Sequence, residues 1–244
     1  MLSFVVPAFN EELLIGRTID AMHSAARSLD EPYEIVVADD ASTDRTAEIA
    51  RAAGARVVTV SNRQIAATRN SGARASTGDM IIFVDADTAV STDAVRAAIA
   101  AMRAGAAGGG CAIDFEGRLP LYARVLLKPA IPLYRLIGLA AGCFLFCTRR
   151  AFDASGGFDE TLFAGEEAIM SRAIRRQGRF VILKERVVTS GRKVRTHSAS
   201  EILGIFVRFG WSRGKLVRQR EGLDLWYGER RPDPDSPNPP GRSA

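Results

Sequence analysis

The sequence lacks most of the features that mark a secreted, zinc-binding or membrane-spanning chain. Its three cysteines, Cys111, Cys143 and Cys147, are odd in number and include no C-x-x-C pair. That argues against a disulfide framework or a structural zinc site, and for buried thiols in a reducing compartment. No apolar run reaches the ~18 residues of a membrane-spanning helix, and the longest, 136–147, is interrupted by Gly138 and Gly142. The opening MLSFVVPAFN has neither a basic leader nor a cleavable apolar segment, so no signal peptide is expected. No G-x-G-x-x-G follows the first predicted strand, which argues against a dinucleotide-binding Rossmann domain. There are no internal repeats. These absences predict a cytoplasmic protein.

What is present is ordinary for a protein with a real core: 47% hydrophobic and 25% charged residues in a length that suits one large domain or two small ones. The net charge of +5 and the pI near 9.4 favour anionic partners, whether nucleotides, phospholipid headgroups or nucleic acid. Arginine and lysine crowd the stretch 172–231.

The chain reads as alternating strands and helices. Strands are expected over 2–6, closed by Pro7, then over 34–38, 56–60 and 80–84; the helices between them centre on Ile15–Ala26, 46–53 and 65–75. Asn10 is a candidate cap for the first of these helices, with Glu11 and Glu12 in its opening turn. A β-α-β-α-β-α-β order implies a largely parallel sheet with helices on both faces. Beyond it, Ser91 can cap a helix over 94–103 with Val95, Ile99 and Met102 inward. Glycines 105–110 read as punctuation before an edge strand at 111–115. A strand at 143–148, a helix over 165–177 with Ile169, Ala173 and Ile174 inward, and a strand at 180–183 follow. A basic helix is expected over 201–219, and the Pro-rich tail from Arg231 reads as disordered. Residues 1–198 would form the main domain, divided near residue 90 into nucleotide-binding and acceptor halves. Residues 199–230 would be a helical extension, and 231–244 the tail.

The centre of this pattern is MIIFVDADT, residues 80–88. Five apolar residues suggest a strand buried on both faces, and it ends in Asp85-Ala86-Asp87, where open α/β sheets bind ligands. Two carboxylates cannot cage a metal, yet they can share Mg²⁺ with substrate phosphates; a solvated turn before the Ser91 helix is the plainer reading. Asp39 and Asp40 end the second strand in the same region. Asp40 could accept a hydrogen bond from a base or ribose, or cap its own turn. Arg69 could neutralise a diphosphate or sit on a solvated helix face.

Four stretches in order, FVVPAFNEE, EIVVADDASTDRT, ATRNSGARASTGDMIIFVDADT and GGFDETLFAGEEAIMSRAIRRQG, resemble the successive motifs of family 2 glycosyltransferases with the GT-A fold, over about residues 2–188. The resemblance implies a mixed, mostly parallel α/β sheet with helices on both faces. It also implies a metal-dependent, inverting transfer of sugar from a nucleoside diphosphate sugar, UDP-linked by preference, to an acceptor hydroxyl. Pro7, Ala8, Asn10, Glu11 and Ala86 would line the donor pocket, with Asp40 resembling the base-reading aspartate. Asp85 would meet the ribose or the metal, and Asp87 would be the main ligand of Mg²⁺ or Mn²⁺. The family writes its catalytic pair as Glu-Asp where this chain has Glu166-Glu167. Glu167 therefore matches the base, and Glu166 stays open as the alternative. His197 is a candidate further metal ligand or a surface histidine. Arg192 and Lys193 are candidates to clamp the diphosphate from a lid.

The region 119–139 and the exposed aromatics expected at Phe206, Phe209 and Trp211 suit a membrane surface, a lipid-linked or saccharide acceptor, or a homodimer interface equally. A sugar nucleotidyltransferase would carry a Gly-rich basic loop where this chain has PAFNEE. A degenerate binder would have lost the DAD or the acidic pair, and both are kept. A nucleic-acid partner is not expected, because the basic residues lack interleaved aromatic platforms.

Overall fold

Strand β1, Leu2–Ala8, is buried at every position, as a strand must be when helices cover both sides of a sheet. The computed structural model describes residues 1–125, 138–211, 216–228, 231 and 233, apart from the side chains of 205, 206 and 209–211. The expected exposure of Phe206, Phe209 and Trp211, and most of the 119–139 region, lie outside the described residues. In chain order, β1 is followed by α1 (Ile15–Ser28), β2 (Tyr33–Asp40), α2 (Thr46–Ala52), β3 (Arg56–Val60), α3 (Ile65–Ala75), β4 (Met80–Val84), β5 (Thr88–Ala89) and α4 (Thr92–Arg103). Then come β6 (Gly108–Glu116), β7 (Phe144–Thr148), α5 (Arg149–Ser155), α6 (Glu166–Gln177), β8 (Phe180–Ser190), α7 (Arg192–Thr196), α8 (Ala199–Trp211), a 3-10 turn (Leu216–Arg218) and α9 (Asp224–Tyr227).

One eight-stranded sheet runs β3-β2-β1-β4-β7-β6-β8-β5. Its first four strands are parallel. The second half is mixed: β7 is antiparallel to β4 and β6, β8 is parallel to β6, and β5 is antiparallel to β8. Side-chain alternation divides the core in two. Phe4, Val6, Ile82, Val84, Phe144 and Phe146 face the layer of α1 and α4, while Val5, Ile81, Phe83 and Leu145 face α3, α5 and α6. This is the expected mixed α/β sheet with helices on both faces. Ser91 caps α4 as expected, its Oγ accepting from the Ala94 N–H at 3.1 Å. The three cysteines are buried and unpaired, and burial raises all three thiols, Cys111 and Cys147 to about 12.

Several local expectations are corrected. Pro7 does not close β1, which runs on to Ala8. Its pairing with β4 stops at Val5 while that with β2 continues, so by Pro7 the strand is bonded on one side and a missing N–H is tolerated. Asn10 is not a helix cap: α1 starts at Ile15 and has no side-chain cap. Asn10 instead accepts from the Thr43 N–H at 2.8 Å and donates its own N–H to Ser42 Oγ at 3.0 Å, joining the loops after β1 and β2. Ile169 is exposed, and the inward residues of α6 are Glu166, Met170, Ser171 and Ile174. Helix does not run to Gln219, because 216–218 is a 3-10 turn. Of the tail, Arg231 pairs with Glu201 and Asp233 with Arg195; 232 and 234–244 lie outside the described residues.

The glycines at 108–110 are not punctuation but part of β6, an interior strand between β7 and β8. A Cβ on Gly109 would meet the Val181 carbonyl and lie 2.6 Å from Phe146 Cζ, so neighbouring backbone fills the space a side chain would need. Gly109→Ala is therefore expected to destabilise the protein by about 2–3 kcal/mol, read as a lowered denaturation midpoint in urea. An unchanged midpoint would show that the sheet yields there at little cost.

Candidate active site

The carboxyl ends of β1, β2 and β4 open into one cavity. Its walls include Pro7, Ala8, Phe9 and Glu11 from the β1 end, Asp40 from β2, and Asp85, Ala86 and Asp87 from the β4 end. Arg63, Gln64, Ile65 and Thr68 from the start of α3, Lys193 from α7, and Arg220, Trp226 and Tyr227 from the far end of the chain complete it. A switch point of this kind, where chain connections leave the sheet in opposite directions, is where α/β sheets place ligands.

Each acidic residue has a different task. Asp40 uses both oxygens on the loop before α3. Oδ1 accepts from the N–H groups of Asn62 and Arg63 at 2.6 and 2.9 Å, and Oδ2 from the Gln64 N–H and Thr68 Oγ at 3.2 and 3.0 Å. It pins the loop that leads into α3 and fixes Arg63, whose guanidinium lies 4.7 Å over the Phe9 ring. The adjacent Asp39 is 3% exposed, and its Oδ1 has no partner. Glu11 pairs with Arg192, whose Nη2 reaches both carboxylate oxygens at 2.6 and 2.9 Å. The two lid candidates therefore separate: Arg192 is buried against Glu11, and Lys193 faces the cavity.

Arg69 is 2% exposed and absent from the cavity wall. Neither a solvated helix face nor a free diphosphate ligand describes it. Its Nη1 donates to Glu166 at 2.6 Å, and its Nη2 donates to Asp85 at 2.8 Å and to the Gly142 carbonyl at 3.1 Å. Its ring-face neighbour is Phe158, 5.3 Å away. Burial works against its charge, but Asp85, Glu166 and Glu167 outweigh that and raise its pKa.

Two carboxylates are left under strain. Burial first, and then repulsion from Glu11, push Asp87 up to about 6 despite Lys193 and Arg192. Its Oδ1 has only long contacts to Thr88 and Thr189 hydroxyls, 3.5 and 3.4 Å. Glu167, the first-turn neighbour of Glu166 on α6, is half-buried and rises to about 7, by burial first and then by the charge of Glu166. Gly165, at φ +74°, turns the chain into that helix in a conformation that glycine adopts without strain. His197 donates its Nδ1–H to the Lys193 carbonyl at 2.9 Å and is not part of the cavity wall. Among the described residues no group of three His, Cys, Asp or Glu side chains could hold a metal. Asp85 and Asp87 together are a two-carboxylate, oxygen-donor set with surplus negative charge. They fit a Mg²⁺ or Mn²⁺ ion whose remaining ligands are phosphate oxygens.

A profile described as glycosyl transferase family 2 matches residues 3–153, well over half of the chain. The protein belongs to glycosyl transferase family 2. It is 37% identical over 94 residues to the undecaprenyl-phosphate 4-deoxy-4-formamido-L-arabinose transferase of Pseudomonas paraeruginosa, a match covering 36% of this chain and 28% of that one. It is 31% identical over 130 residues to the validoxylamine A glucosyltransferase of Streptomyces hygroscopicus subsp. jinggangensis, over 49% of this chain and 30% of that one. The match thus spans less than a third of the length of these curated relatives. Among solved structures, a mannosyltransferase from Pyrobaculum calidifontis in complex with GDP-Man and Mn²⁺ superposes with a TM-score of 0.65 at 19% identity, over 90% of this chain and 65% of that one. At that identity the likeness speaks for the fold alone.

Within this glycosyl transferase family 2 chain, sequence reasoning missed Phe9 and Thr68, which lie inside motifs already singled out, and Arg63, Gln64 and Ile65, which come just before one. It also gave no role to Arg220, Trp226 and Tyr227, whose only signal was an aromatic pair in a basic segment. The buried Arg69 network yields a direct test. Arg69→Met should cost about 3–5 kcal/mol of stability, because it leaves the buried Glu166 charge unpaired. Adding Glu166→Gln should recover part of that loss in thermal unfolding. Equal stability of Arg69→Met and the parent protein would mean that the network is dispensable.

Proposed function

We propose that the protein is a metal-dependent, inverting glycosyltransferase that moves a sugar from a nucleoside diphosphate sugar to an acceptor hydroxyl. The observation that carries this reading is the pairing of two unlike carboxylates. Asp87 is a charge-strained carboxylate on the cavity wall at the end of β4, and Glu167 is a half-buried carboxylate raised to about 7. The buried Arg69 links the element that carries each of them.

In this reading the β1 end and Phe9 receive the nucleoside, and Asp40 contributes by holding Arg63 and Gln64 in the wall. A uridine donor is the first choice and a guanosine donor the second. Asp87 and Asp85 would hold Mg²⁺ or Mn²⁺, which supplies Lewis-acid stabilisation of the departing diphosphate. Lys193 adds a cation on the same side, and His197 is held ready near it as a further ligand candidate. Glu167 accepts the proton of the acceptor hydroxyl as that oxygen attacks the anomeric carbon. One carbon–oxygen bond to phosphate breaks, one to the acceptor forms, and the configuration inverts. A base near 7 is matched to the pH at which it works. Glu166 is tied to Arg69 and so positions α6, while Glu167 bonds no other described residue.

The acceptor is proposed as a lipid-linked or saccharide hydroxyl; of the two curated relatives, one is named for a lipid phosphate, undecaprenyl phosphate, and the other for validoxylamine A. No described helix is long and apolar enough to cross a membrane. A lipid-linked acceptor would need peripheral contact, for which exposed Leu121, Val125, Leu203 and Val207 are available.

Calorimetric titration with UDP and GDP, with and without Mn²⁺, is the test. Metal-dependent binding of one nucleotide supports the reading, and binding of neither removes it. Asp87→Ala should abolish the metal dependence without unfolding the protein; full transfer activity in that variant would refute the metal assignment. Glu167→Gln should leave donor affinity within about twofold and lower kcat by 10²-fold or more. The rate should rise with pH to a plateau above about 7, since a protonated Glu167 accepts nothing, and the glutamine variant should lose that limb. Stability gives an independent readout. A carboxyl raised on folding binds its proton more tightly in the native state, so its ionisation lowers stability as pH rises from about 4.5 to about 7. Glu167→Gln should therefore be the more stable protein at pH 8. If Glu166→Gln instead removes transfer while Glu167→Gln retains it, the base is Glu166.

A further inference from the structure

The stretch 216–228 is a part of the cavity wall to which neither the sequence motifs nor the family match, which ends at residue 153, assigns a role. It is tied down away from the carboxylates. The Phe163 N–H donates to the Val217 carbonyl at 2.6 Å, Arg218 donates to Thr161 Oγ at 2.7 Å, and the Ile65 N–H donates to the Tyr227 hydroxyl at 3.5 Å. The Tyr227 ring meets Phe163 edge-on, with centroids 5.7 Å apart. These contacts bring the segment across to the start of α3 and to the loop that leads into α6.

Arg220 is the consequence. Its guanidinium lies 5.4 Å over the Tyr227 ring, and that guanidinium forms no hydrogen bond or ion pair with any described residue. Arg63, the other arginine of the cavity wall, lies over Phe9 in the same way, whereas Arg69 and Arg192 are buried behind the wall and neutralised by carboxylates. A guanidinium positioned by a ring face keeps its five donors and its charge for a ligand. It borders the same cavity as Asp85, Asp87 and Lys193, so an anion held there alongside the metal would share the cavity with this cation.

We propose that Arg220, carried on 216–228 and oriented by Tyr227, is a donor-binding residue that contacts the diphosphate of the nucleoside diphosphate, so that the end of the chain closes the pocket its beginning opens. This rests on the donor-site reading above. The phosphate contacted could in principle belong to a phosphorylated acceptor, and the choice of ligands separates the two.

The test is calorimetric titration of the full chain with UDP, GDP, uridine, guanosine and inorganic phosphate in the presence of Mn²⁺, comparing the parent protein with Arg220→Ala and Arg220→Lys. The expected result is about a tenfold weaker affinity of Arg220→Ala for the nucleoside diphosphate that binds. The lysine variant should recover part of it, and affinity for the parent nucleoside should not change. Trypsin cleavage after Arg218 and Arg220 should also slow when the nucleoside diphosphate and Mn²⁺ are present. Unchanged nucleoside diphosphate affinity in Arg220→Ala overturns the inference while leaving the donor site standing. So does an equal loss of nucleoside affinity, which would mark a general structural effect. An affinity loss seen with inorganic phosphate alone assigns Arg220 to an acceptor phosphate and overturns it too. Failure of the parent protein to bind either nucleotide removes the donor-site reading, and this inference with it.

Discussion

The buried guanidinium of Arg69 is the interaction on which the site depends. Two carboxylates from distant parts of the chain, Asp85 after β4 and Glu166 at the start of α6, meet on its two terminal nitrogens. Isolated, each buried charge would carry a desolvation penalty of several kcal/mol. Together they are mutually satisfied, apart from the Arg69 Nε, which has no partner. The arrangement stabilises little compared with apolar packing, but it specifies geometry: β4 and α6 cannot shift relative to one another without separating a buried ion pair. Neighbouring polar side chains of α3 repeat the device. Asn70 both donates to and accepts from the backbone of Phe158, and Gln64 donates to the Leu162 carbonyl at 3.0 Å. One short helix thereby fixes the loop that presents the acidic pair.

This division of labour explains why adjacent acidic residues behave so differently. Arg69 takes Asp85 and Glu166, and Arg192 takes Glu11. Asp87 and Glu167 sit one or two residues from a neutralised partner, and burial together with like-charge repulsion outweighs the cations near them. Their raised affinity for protons is a raised affinity for any cation or proton donor that can enter. A pocket with all carboxylates paired would be stable and inert. One with none paired would not hold its shape. The chain spends two arginines on rigidity and leaves Asp87 and Glu167 without an ion pair to a described residue.

The sheet and its first four strands were legible in the sequence because their signals are local: apolar runs such as 80–84 and helix caps such as Ser91. Asp85 and Asp87 were legible as candidates from their motif and do line the cavity, whereas the acidic pair, singled out by the same ordered motifs, lies outside its wall. Misreadings arose where tertiary contacts override local rules. Glycines 108–110 look like a break, and only the closeness of β7, β8 and Ala140 shows that they are a strand with no room for side chains. Asn10 has a good capping side chain, but a left-handed backbone at φ +52° turns it toward the neighbouring loop. Arg69 looks like any helix arginine, because nothing within a turn of it announces that Asp85 and Glu166 converge there.

The end of the chain was the least legible part for the same reason. Leu216–Tyr227 carries no strong period, and a basic helix extrapolated from 201 onward would have pointed its aromatics at solvent. Its position depends instead on a few long-range contacts, chiefly Phe163 with Val217 and Ile65 with Tyr227, that lie more than 50 residues apart in sequence. Those contacts attach to the same two elements that Arg69 and Gln64 already lock together, the start of α3 and the loop before α6. The wall near the terminus therefore inherits its precision from the buried network. If that network loosens, the aromatic wall loses its anchor and the acidic pair its alignment at once, so stability and ligand geometry in this protein are expected to fail together.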